Sequence, residues 1–425
     1  MQTGERETLV RVWRHVVPLL ALVLFLNYLD KVNIGFASLQ MNRDLALSNT
    51  AFGVAAGLFA IGYAFAAIPS TLLLNRCGAR RWVSLVMVIW GLCSAATAFV
   101  TTRSGLYLAR VALGAAEAGF TPGVIFYLNS WFPSAYRGRA LGSFLIILPI
   151  ALVVGGPLSS VLLSVNGLLG LEGWQWLFLV EGLPSVVLAG LVFAFLADSP
   201  RTARWLSAGE RMWLTQELAA EDRKISGSQS RARVRDALTQ PRVLILAIAY
   251  HGIAASGTGA IIFLPLVIRS MGFSTSMTGI MAALPALVSA LSLPLWGFWT
   301  DRAHDRSLVV AASCLAITTG LLGTAALFPA PLALAPLTLA LVGFFGSVAP
   351  FWTLPSSMLT GAAAAAGIAA INVAGNLGSF SGPALFGWLA DHLRSYTTGL
   401  VGMAMLAAAA GVLLVASAAA PAIRK

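Results

Sequence analysis

Four ionisable residues lie inside strongly apolar stretches of the sequence. Asp30 and Lys31 occur in NYLDKVNIGF, and Arg110 and Glu117 occur in RVALGAAEAGF. Placing such a group at the centre of a membrane costs about 2.5–3.5 kcal/mol, so their presence points to function. Burial favours the protonated form of a carboxylate, which can then load and release protons, and fixed cations bind carboxylate ligands. The residue types therefore predict proton handling at Asp30 and Glu117 and binding of an organic anion at Lys31 and Arg110.

Helical spacing limits how these residues can act together. Arg110 and Glu117 are two turns apart, so they share a face at a separation of about 10 Å in rise, and both can point into one aqueous cavity. Asp30 and Lys31 diverge by about 100° and cannot form one simple pair. A structural alternative remains, because two carboxylates and two cations can neutralise one another across a helix interface. Glu181 is equally consistent with a structural hydrogen-bond acceptor, and it is not included in the predicted centre.

Long apolar helices must position these residues. Hydrophobic residues make up 58% of the 425-residue chain and charged residues only 10%, whereas soluble domains carry about 25% charged residues. This composition excludes a disordered chain and disfavours an ordinary soluble enzyme. A helix that crosses a membrane needs about 20 apolar residues. The sequence predicts an all-α polytopic membrane protein with twelve spans, at approximately 16–37, 52–74, 82–101, 105–129, 139–163, 174–197, 242–269, 276–299, 307–328, 331–354, 362–390 and 396–420.

The only long polar stretch divides the twelve spans into two sets of six. The predicted organisation is an N-terminal six-helix bundle over 1–197, a basic linker over 198–241 and a C-terminal six-helix bundle over 242–425. Most of the 27 Lys and Arg residues fall in the linker, at the termini and in the loops on the same side. By the positive-inside rule these segments are cytoplasmic. The net charge of +11 therefore requires no nucleic-acid partner.

Two loops at corresponding positions suggest that the halves are duplicated. LLLNRCGARR follows span two and GFWTDRAHDR follows span eight. In the second loop, Gly297 can admit a neighbouring helix and Asp301 can pair with a basic group or a helix N-terminus. Ordinary basic flanking of the membrane is the alternative for the first loop. The loops predict a set of gating residues at the cytoplasmic face: Arg76, Gly78, Arg80, Asp301 and Arg302.

The second half carries neutral polar residues in place of charges. Asn372, Asn376 and Ser379 follow helical spacing and line one face, which predicts either hydrogen bonding to a substrate or close helix packing. Trp352 can serve as an aromatic wall or as an anchor at the membrane interface. His251, near a helix end, is expected to be satisfied locally. The three cysteines and four histidines show no ligand spacing, so the sequence predicts no metal site.

The twelve-span plan resembles the major facilitator superfamily. Five segments resemble its anion:cation symporter family, which includes bacterial tartrate, phthalate, hexuronate and galactonate permeases. They are NYLDKVNIGF, RVALGAAEAGFTPG, GWQWLFLVEGLPSV, DSPRTARWLSAGER and PFWTLPSS…AAINVAGNLGSFSGP. The resemblance implies two pseudo-symmetric bundles that rock around a central site and proton-coupled uptake of an organic anion across a bacterial inner membrane.

Individual residues acquire roles through this resemblance. Asp30 and Glu117 match the protonatable carboxylates, and Lys31 and Arg110 match the basic residues. The family motif usually reads Asp-Arg, and lysine offers a point charge where arginine offers a bidentate fork. Four further residues match substrate contacts in members similar to the galactonate permease: Tyr28, Tyr63, Asn376 and Ser379.

The predicted function is import of a small organic carboxylate together with protons. Protons are the coupling ion, no cofactor is expected, and the expected partners are the carboxylate, protons and membrane lipid, with the protein acting as a monomer. Span five offers few hydroxyl groups, namely Ser143, Ser159 and Ser160, whereas aromatic groups are available at Tyr28, Tyr63, Phe126 and Trp352. This favours an aromatic acid such as phthalate. The alternatives are a sugar-acid or tartrate-type symporter and an organic-anion exchanger that uses no protons.

Overall fold

The structure is a computed structural model that describes residues 3–226, 240–358 and 361–419. These residues form helices joined by short turns, and no strand occurs among them. Part of the predicted linker, with Arg231, Arg233 and Arg235, lies outside the described residues, as do the C-terminal residues 420–425.

The predicted spans of the first half coincide with helices, and two of these spans are each divided in two. Span four consists of α4 and α5, and span five consists of α6 and α7. The first helix is longer than predicted, because it begins well before residue 16. The helices are α1 (Thr3–Asp44), α2 (Asn49–Cys77), α3 (Ala79–Thr97), α4 (Arg103–Glu117), α5 (Phe120–Asn129), α6 (Ser134–Leu145), α7 (Ile147–Ser164) and α8 (Gly173–Phe195).

The remaining helices comprise a helix in the linker, α9, and the six predicted spans of the second half. They are α9 (Ala208–Ser226), α10 (Pro241–Ser270), α11 (Thr275–Arg302), α12 (Arg306–Leu327), α13 (Leu334–Met358), α14 (Gly361–His392) and α15 (Tyr396–Ala419). In the described part of the chain, 11 helical segments are long and apolar enough to cross a membrane. The 32-residue helix α14 corresponds to the remaining predicted span.

The linker contains a helix, α9, that the sequence analysis did not predict. This helix docks on the first half through ion pairs from Arg11 to Glu210 at 2.9 Å and from Arg137 to Glu221 at 3.0 Å. Burial alone raises the pKa of Glu210, but hydrogen bonds from Ser207 and the charge of Arg11 outweigh it and lower the pKa. The docked carboxylate is therefore ionised at neutral pH.

The two halves meet at one end of the molecule. We name the end that holds Thr3 and Ala419 the termini face, and the end that holds the turn between α1 and α2 the distal face. Helix α2 packs against α14, and α7 packs against α11. Glycines permit both contacts, since a Cβ added at Gly53 would overlap the carbonyl oxygen of Pro383, and one added at Gly156 would overlap that of Gly279. Both contacts lie in the distal halves of these helices.

A carboxylate strengthens the distal contact between α14 and α2. Asp391, near the end of α14, accepts hydrogen bonds from the backbone N–H groups of Asn49 at 3.1 Å and Thr50 at 2.7 Å. The side chains of the same two residues donate to it at 2.8 Å and 2.6 Å. These N–H groups belong to the first turn of α2, which has no helical acceptors for them. Asp391 therefore caps a helix of the other half.

At the termini face the predicted gating residues occupy the turns between helices. Gly78 has a φ of 82° between α2 and α3, and the backbone N–H of Arg80 donates to Asp198 at 2.9 Å. Arg76, Asp301 and Arg302 are exposed. The expectation of close helix approach at Gly297 is wrong for this structure, because an added Cβ there meets nothing within 4 Å. The halves are joined at the distal face and not at this position. A gating role for these residues stays a prediction.

Candidate functional site

A cavity of about 470 Å³ lies between the two halves. This volume falls in the range that holds small molecules. All eight residues predicted to contact substrate line it: Tyr28, Lys31, Tyr63, Arg110, Trp352, Asn372, Asn376 and Ser379. The structure therefore brings the basic residues of the first half opposite the asparagine and serine groups of the second. Their role in binding stays a prediction.

The cavity is closed toward the distal face. Val32 and Ile262, on that side of the lining, expose only 7% and 5% of their surface. Phe263 of α10 meets Phe52 edge to face at a centroid distance of 5.2 Å and stacks on Phe386 at 4.3 Å, and this aromatic layer closes the distal end. Lining residues nearer the termini face, such as Pro122 and Asn372, are exposed. Solvent therefore reaches the cavity from the termini face.

Lys31 is the accessible cation of the site. Its side chain is 23% exposed, and its Nζ lies 3.5 Å from Oε2 of Glu117. The ammonium group also lies 5.4 Å from the ring centroid of Tyr63 and 5.8 Å from that of Phe59, distances at which cation–π attraction operates. One carboxylate and two rings therefore hold the positive charge at the cavity wall.

Arg110 is a buried cation with spare hydrogen-bonding capacity. Only 1% of the residue is exposed, and the central carbon of its guanidinium lies 5.1 Å from the centroid of the Phe59 ring. Its Nε and Nη1 atoms have no hydrogen-bond partner among the described residues. Leaving charged donors buried and unsatisfied is costly. These two nitrogen atoms are the unsatisfied donors of the site.

The predicted proton carriers do not line the cavity. Asp30 and Glu117 are 0% exposed. Oε2 of Glu117 accepts a hydrogen bond from Asn27 at 2.8 Å, and Oδ1 of Asp30 accepts one from Ser94 at 2.6 Å. The expectation that Arg110 and Glu117 face the same cavity thus holds only for Arg110. Side chains of α1 cover Glu117, and Asp30 must point away from the cavity because its neighbour Lys31 points into it.

A break in span four places Glu117 at a helix end, which the sequence analysis missed. Helix α4 ends at Glu117, and Gly119 has a φ of 88° before α5 begins. The freed carbonyl of Ala118 accepts a hydrogen bond from Ser70 at 2.5 Å. The C-terminus of a helix carries partial negative charge, which disfavours an ionised Glu117, whereas Lys31 favours it. Glycine followed by proline three residues later was the available signal for this break.

The aromatic lining differs in part from the prediction. Phe126 is 58% exposed and does not line the cavity. Trp352 does line it, with its ring 5.0 Å from that of Tyr250, so it forms a wall and is not an interfacial anchor. Four further aromatic residues line the cavity and were not predicted from the sequence: Phe59, Tyr250, Phe344 and Phe345.

Span five supplies no identified hydroxyl group to the cavity. Ser159 donates to Oε1 of Glu181 at 3.1 Å, and Ser160 donates to the carbonyl of Thr275 at 3.0 Å. Among the lining residues this span contributes Leu148. His251 is satisfied within the second half, as expected, by the carbonyl of Ala374 at 3.1 Å and the hydroxyl of Ser381 at 3.2 Å.

The geometry agrees with the family that the sequence matches. The family model described as Major Facilitator Superfamily matches residues 20–383, which include both walls of the cavity. The chain belongs to the major facilitator superfamily. Like its relatives, this superfamily member is a multi-pass membrane transporter and not an enzyme.

Relatives within the superfamily carry transporter names. A protein of Agrobacterium vitis named "Putative tartrate transporter" is 41% identical over 396 residues, which cover 93% of this chain and 88% of that protein. A "Quinolone resistance transporter" of Acinetobacter baumannii is 37% identical over 402 residues, covering 93% and 91%. Among solved structures, the inward-open conformation of the xylose transporter XylE from E. coli matches with a TM-score of 0.75 at 14% identity, covering 95% of each chain. This last similarity shows the fold alone.

Proposed function

We propose that this superfamily member is a symporter that imports a small organic carboxylate together with protons. The observation that carries the proposal is the arrangement of two cations and one buried carboxylate. Lys31 lines the cavity and lies 3.5 Å from the buried Glu117. Arg110 lines the same cavity, and two of its nitrogen atoms have no partner among the described residues. The proposal places the protein in a bacterial inner membrane as a monomer, with both termini in the cytoplasm. In that orientation the described state is open to the cytoplasm.

Coupling follows from the sharing of one cation. When Glu117 is ionised, it holds the charge of Lys31 and competes with an incoming anion. When Glu117 binds a proton, Lys31 becomes free to pair with a substrate carboxylate, and the hydrogen bond from Asn27 remains available to the neutral acid. Substrate and proton therefore bind together, as linkage requires. After the cavity opens to the cytoplasm, loss of the proton restores the Lys31–Glu117 pair and displaces the anion.

The second half orients the substrate through neutral groups. Ser379 accepts a hydrogen bond from Thr258 at 3.3 Å, which leaves its own hydroxyl hydrogen for a ligand. Asn376 donates to the backbone carbonyl of Asn372 at 3.1 Å, so its amide oxygen stays available. A donor and an acceptor on this wall, facing two cations on the other, suit an anion with polar substituents at a distance from the carboxylate.

Two observations favour different carboxylates. The aromatic rings around Lys31 and Trp352 favour a flat, hydroxyl-poor acid such as phthalate, because buried hydroxyl groups need partners that this lining supplies sparsely. The name of the Agrobacterium vitis relative favours a short hydroxy-dicarboxylate such as tartrate. A hexonate fits least well, since its many hydroxyl groups exceed the donors and acceptors of the second-half wall.

Uptake into proteoliposomes with an imposed pH gradient tests the proposal. We expect accumulation of labelled phthalate or tartrate that collapses when a protonophore removes the gradient. Accumulation that ignores the gradient and requires a counter-anion inside would establish the exchanger alternative. Competition then identifies the substrate class, and inhibition by hexonates at concentrations where aromatic carboxylates have no effect would contradict the aromatic assignment.

A further inference from the structure

A line of buried polar groups that do not line the cavity runs along α1. Asn27, Asp30 and Asn33 occur at intervals of three residues and expose 0%, 0% and 1% of their surface. This interval keeps side chains on one face of a helix, and the three positions span about 9 Å of helix rise. Asn27 contacts Glu117 at the end nearer the termini face. The buried line therefore begins at one proton carrier and passes the other.

Glu181 of α8 joins this line at its distal end. Its side chain is buried, with 2% of the residue exposed, and Oε1 accepts the hydrogen bond from Ser159. The amide of Asn33 donates to Oδ1 of Asp30 at 3.4 Å, and the same side chain lies near Glu181. Asn33 therefore lies close to both carboxyl groups, those of Glu181 and Asp30.

No cation balances Glu181 in the described part of the chain. Helix α8 packs against α1, α3 and α7. On α1 the titratable group that interacts with Glu181 is Asp30, while Lys31 faces the cavity. At this level α3 presents Ser94 beside Gly182 and the thiol Cys93, and α7 contains no titratable residue. The four ion pairs found among the described residues do not include Glu181.

The charges and the unpaired atoms both call for a proton on Glu181. Three buried carboxylates share two cations, so full ionisation leaves surplus negative charge, and a buried ion without a counter-ion binds a proton instead. Among the described residues, two acceptor atoms here have no partner, namely Oε2 of Glu181 and Oδ1 of Asn33, and the hydroxyl of Ser185, one turn along α8, has none either. A protonated carboxyl group can donate a hydrogen bond to such an acceptor.

The position of Glu181 also relates it to the distal contact between the halves. Its partner Ser159 precedes Ser160, whose hydroxyl donates to the carbonyl of Thr275 on α11. Gly156, one turn earlier on α7, meets Gly279 of the same helix. The residue that binds Glu181, Ser159, is therefore adjacent in sequence to the α7–α11 contact that closes the distal face.

We propose that Glu181 is a third proton-binding group of the transport cycle, close to Asn33 and Asp30 and separate from the anion cavity. In the transfer step the O–H bond of Glu181 breaks and an O–H bond forms on Asp30, so the negative charge passes from Asp30 to Glu181. A proton from the distal side then restores Glu181. The anion thus binds in the cavity, and the proton passes between carboxyl groups that do not line it. The role of Glu181 in coupling rests on the proposed function, whereas the presence of a proton on Glu181 at neutral pH does not depend on it.

Infrared difference spectroscopy on the purified full-length protein without substrate tests the bound proton. We expect the carbonyl stretch of a protonated carboxyl group at neutral pH in the wild type, and its loss in Glu181→Gln. The matched control is Glu217→Gln, which removes an exposed glutamate of α9 and should leave the band unchanged. An unchanged band in Glu181→Gln would show that Glu181 is ionised and would overturn the proposal.

Transport in proteoliposomes tests the coupling role, with phthalate and L-tartrate as probes. Each coupled proton contributes about tenfold accumulation per pH unit of gradient, so Glu181→Gln should lose about tenfold accumulation while exchange of internal for external anion continues. Glu181→Asp should restore accumulation, which a packing role alone does not predict. This variant also tests the coupling role if the glutamine variant unfolds. Accumulation at the wild-type level by Glu181→Gln refutes the coupling role. If the wild type accumulates neither probe, the proposed function fails. The infrared result still shows whether Glu181 is protonated.

Discussion

The sharing of Lys31 between Glu117 and the substrate leads to a quantitative prediction for Glu117→Gln. The Nζ–Oε2 distance is 3.5 Å, and two unit charges at that distance attract by roughly 5 kcal/mol at an effective dielectric constant of about 20. The side chain of Lys31 is 23% exposed, so solvent screening reduces the effective value to about 2–3 kcal/mol. An ionised Glu117 should therefore weaken binding of a carboxylate by about two powers of ten.

The predicted signature is a change in the pH dependence of binding. In the wild type, affinity should fall about tenfold per pH unit above the titration of Glu117, until about two powers of ten are lost. Glutamine mimics the protonated acid, so Glu117→Gln should bind tightly and equally at every pH. Because it carries no proton, the variant should retain exchange and lose accumulation driven by the pH gradient.

Calorimetric titration of the purified protein with phthalate and L-tartrate over a pH series measures this difference. Glu217→Gln, on the exposed surface of α9, is the matched control and should follow the wild type. A Glu117→Gln variant that shows the same pH dependence as the wild type, or that accumulates substrate normally, would refute the competition for Lys31.

Four further changes probe the remaining parts of the site. Asp30→Asn should abolish proton-driven accumulation while the protein stays folded, and uptake together with thermal unfolding measures both; normal uptake would contradict a coupling role. Lys31→Ala should weaken every effective carboxylate, whereas Lys31→Arg should preserve binding and change the order of selectivity; an unchanged affinity of the alanine variant for all carboxylates would exclude Lys31 from the site. Trp352→Ala should reduce affinity for phthalate by about tenfold, since an aromatic contact contributes about 0.5–1.5 kcal/mol, and should affect tartrate less; equal losses would argue against an aromatic wall. Asp391→Ala should remove the cap on α2, which contributes about 1 kcal/mol, and raise the accessibility of cysteines placed at the distal face by about fivefold; unchanged labelling rates would show that the cap does not hold that face closed.

The sequence by itself determined the number and approximate limits of the membrane spans. Segments such as 276–299 and 307–328 are apolar for about the length that a bilayer requires, and any fold of the chain must satisfy that requirement. Helical spacing likewise determined that Asn372, Asn376 and Ser379 share a face, and the cavity lining confirms their common orientation. Both inferences depend on one helix at a time, which is why they survive without knowledge of its neighbours.

Only the tertiary structure decided which neighbour covers each face. Spacing separates Lys31 from Asp30, but packing of α1 against α8 and the hydrogen bond from Ser94 of α3 hold Asp30 away from the cavity. The same packing brings Glu181, which in the sequence is equally consistent with a structural hydrogen-bond acceptor, close to Asn33 and Asp30. The break at Gly119 in span four is stabilised by another helix, because Ser70 of α2 donates a hydrogen bond to the freed carbonyl of Ala118. Contacts between helices far apart in sequence depend on the complementary shapes of several segments at once, and periodicity within one segment contains no information about them.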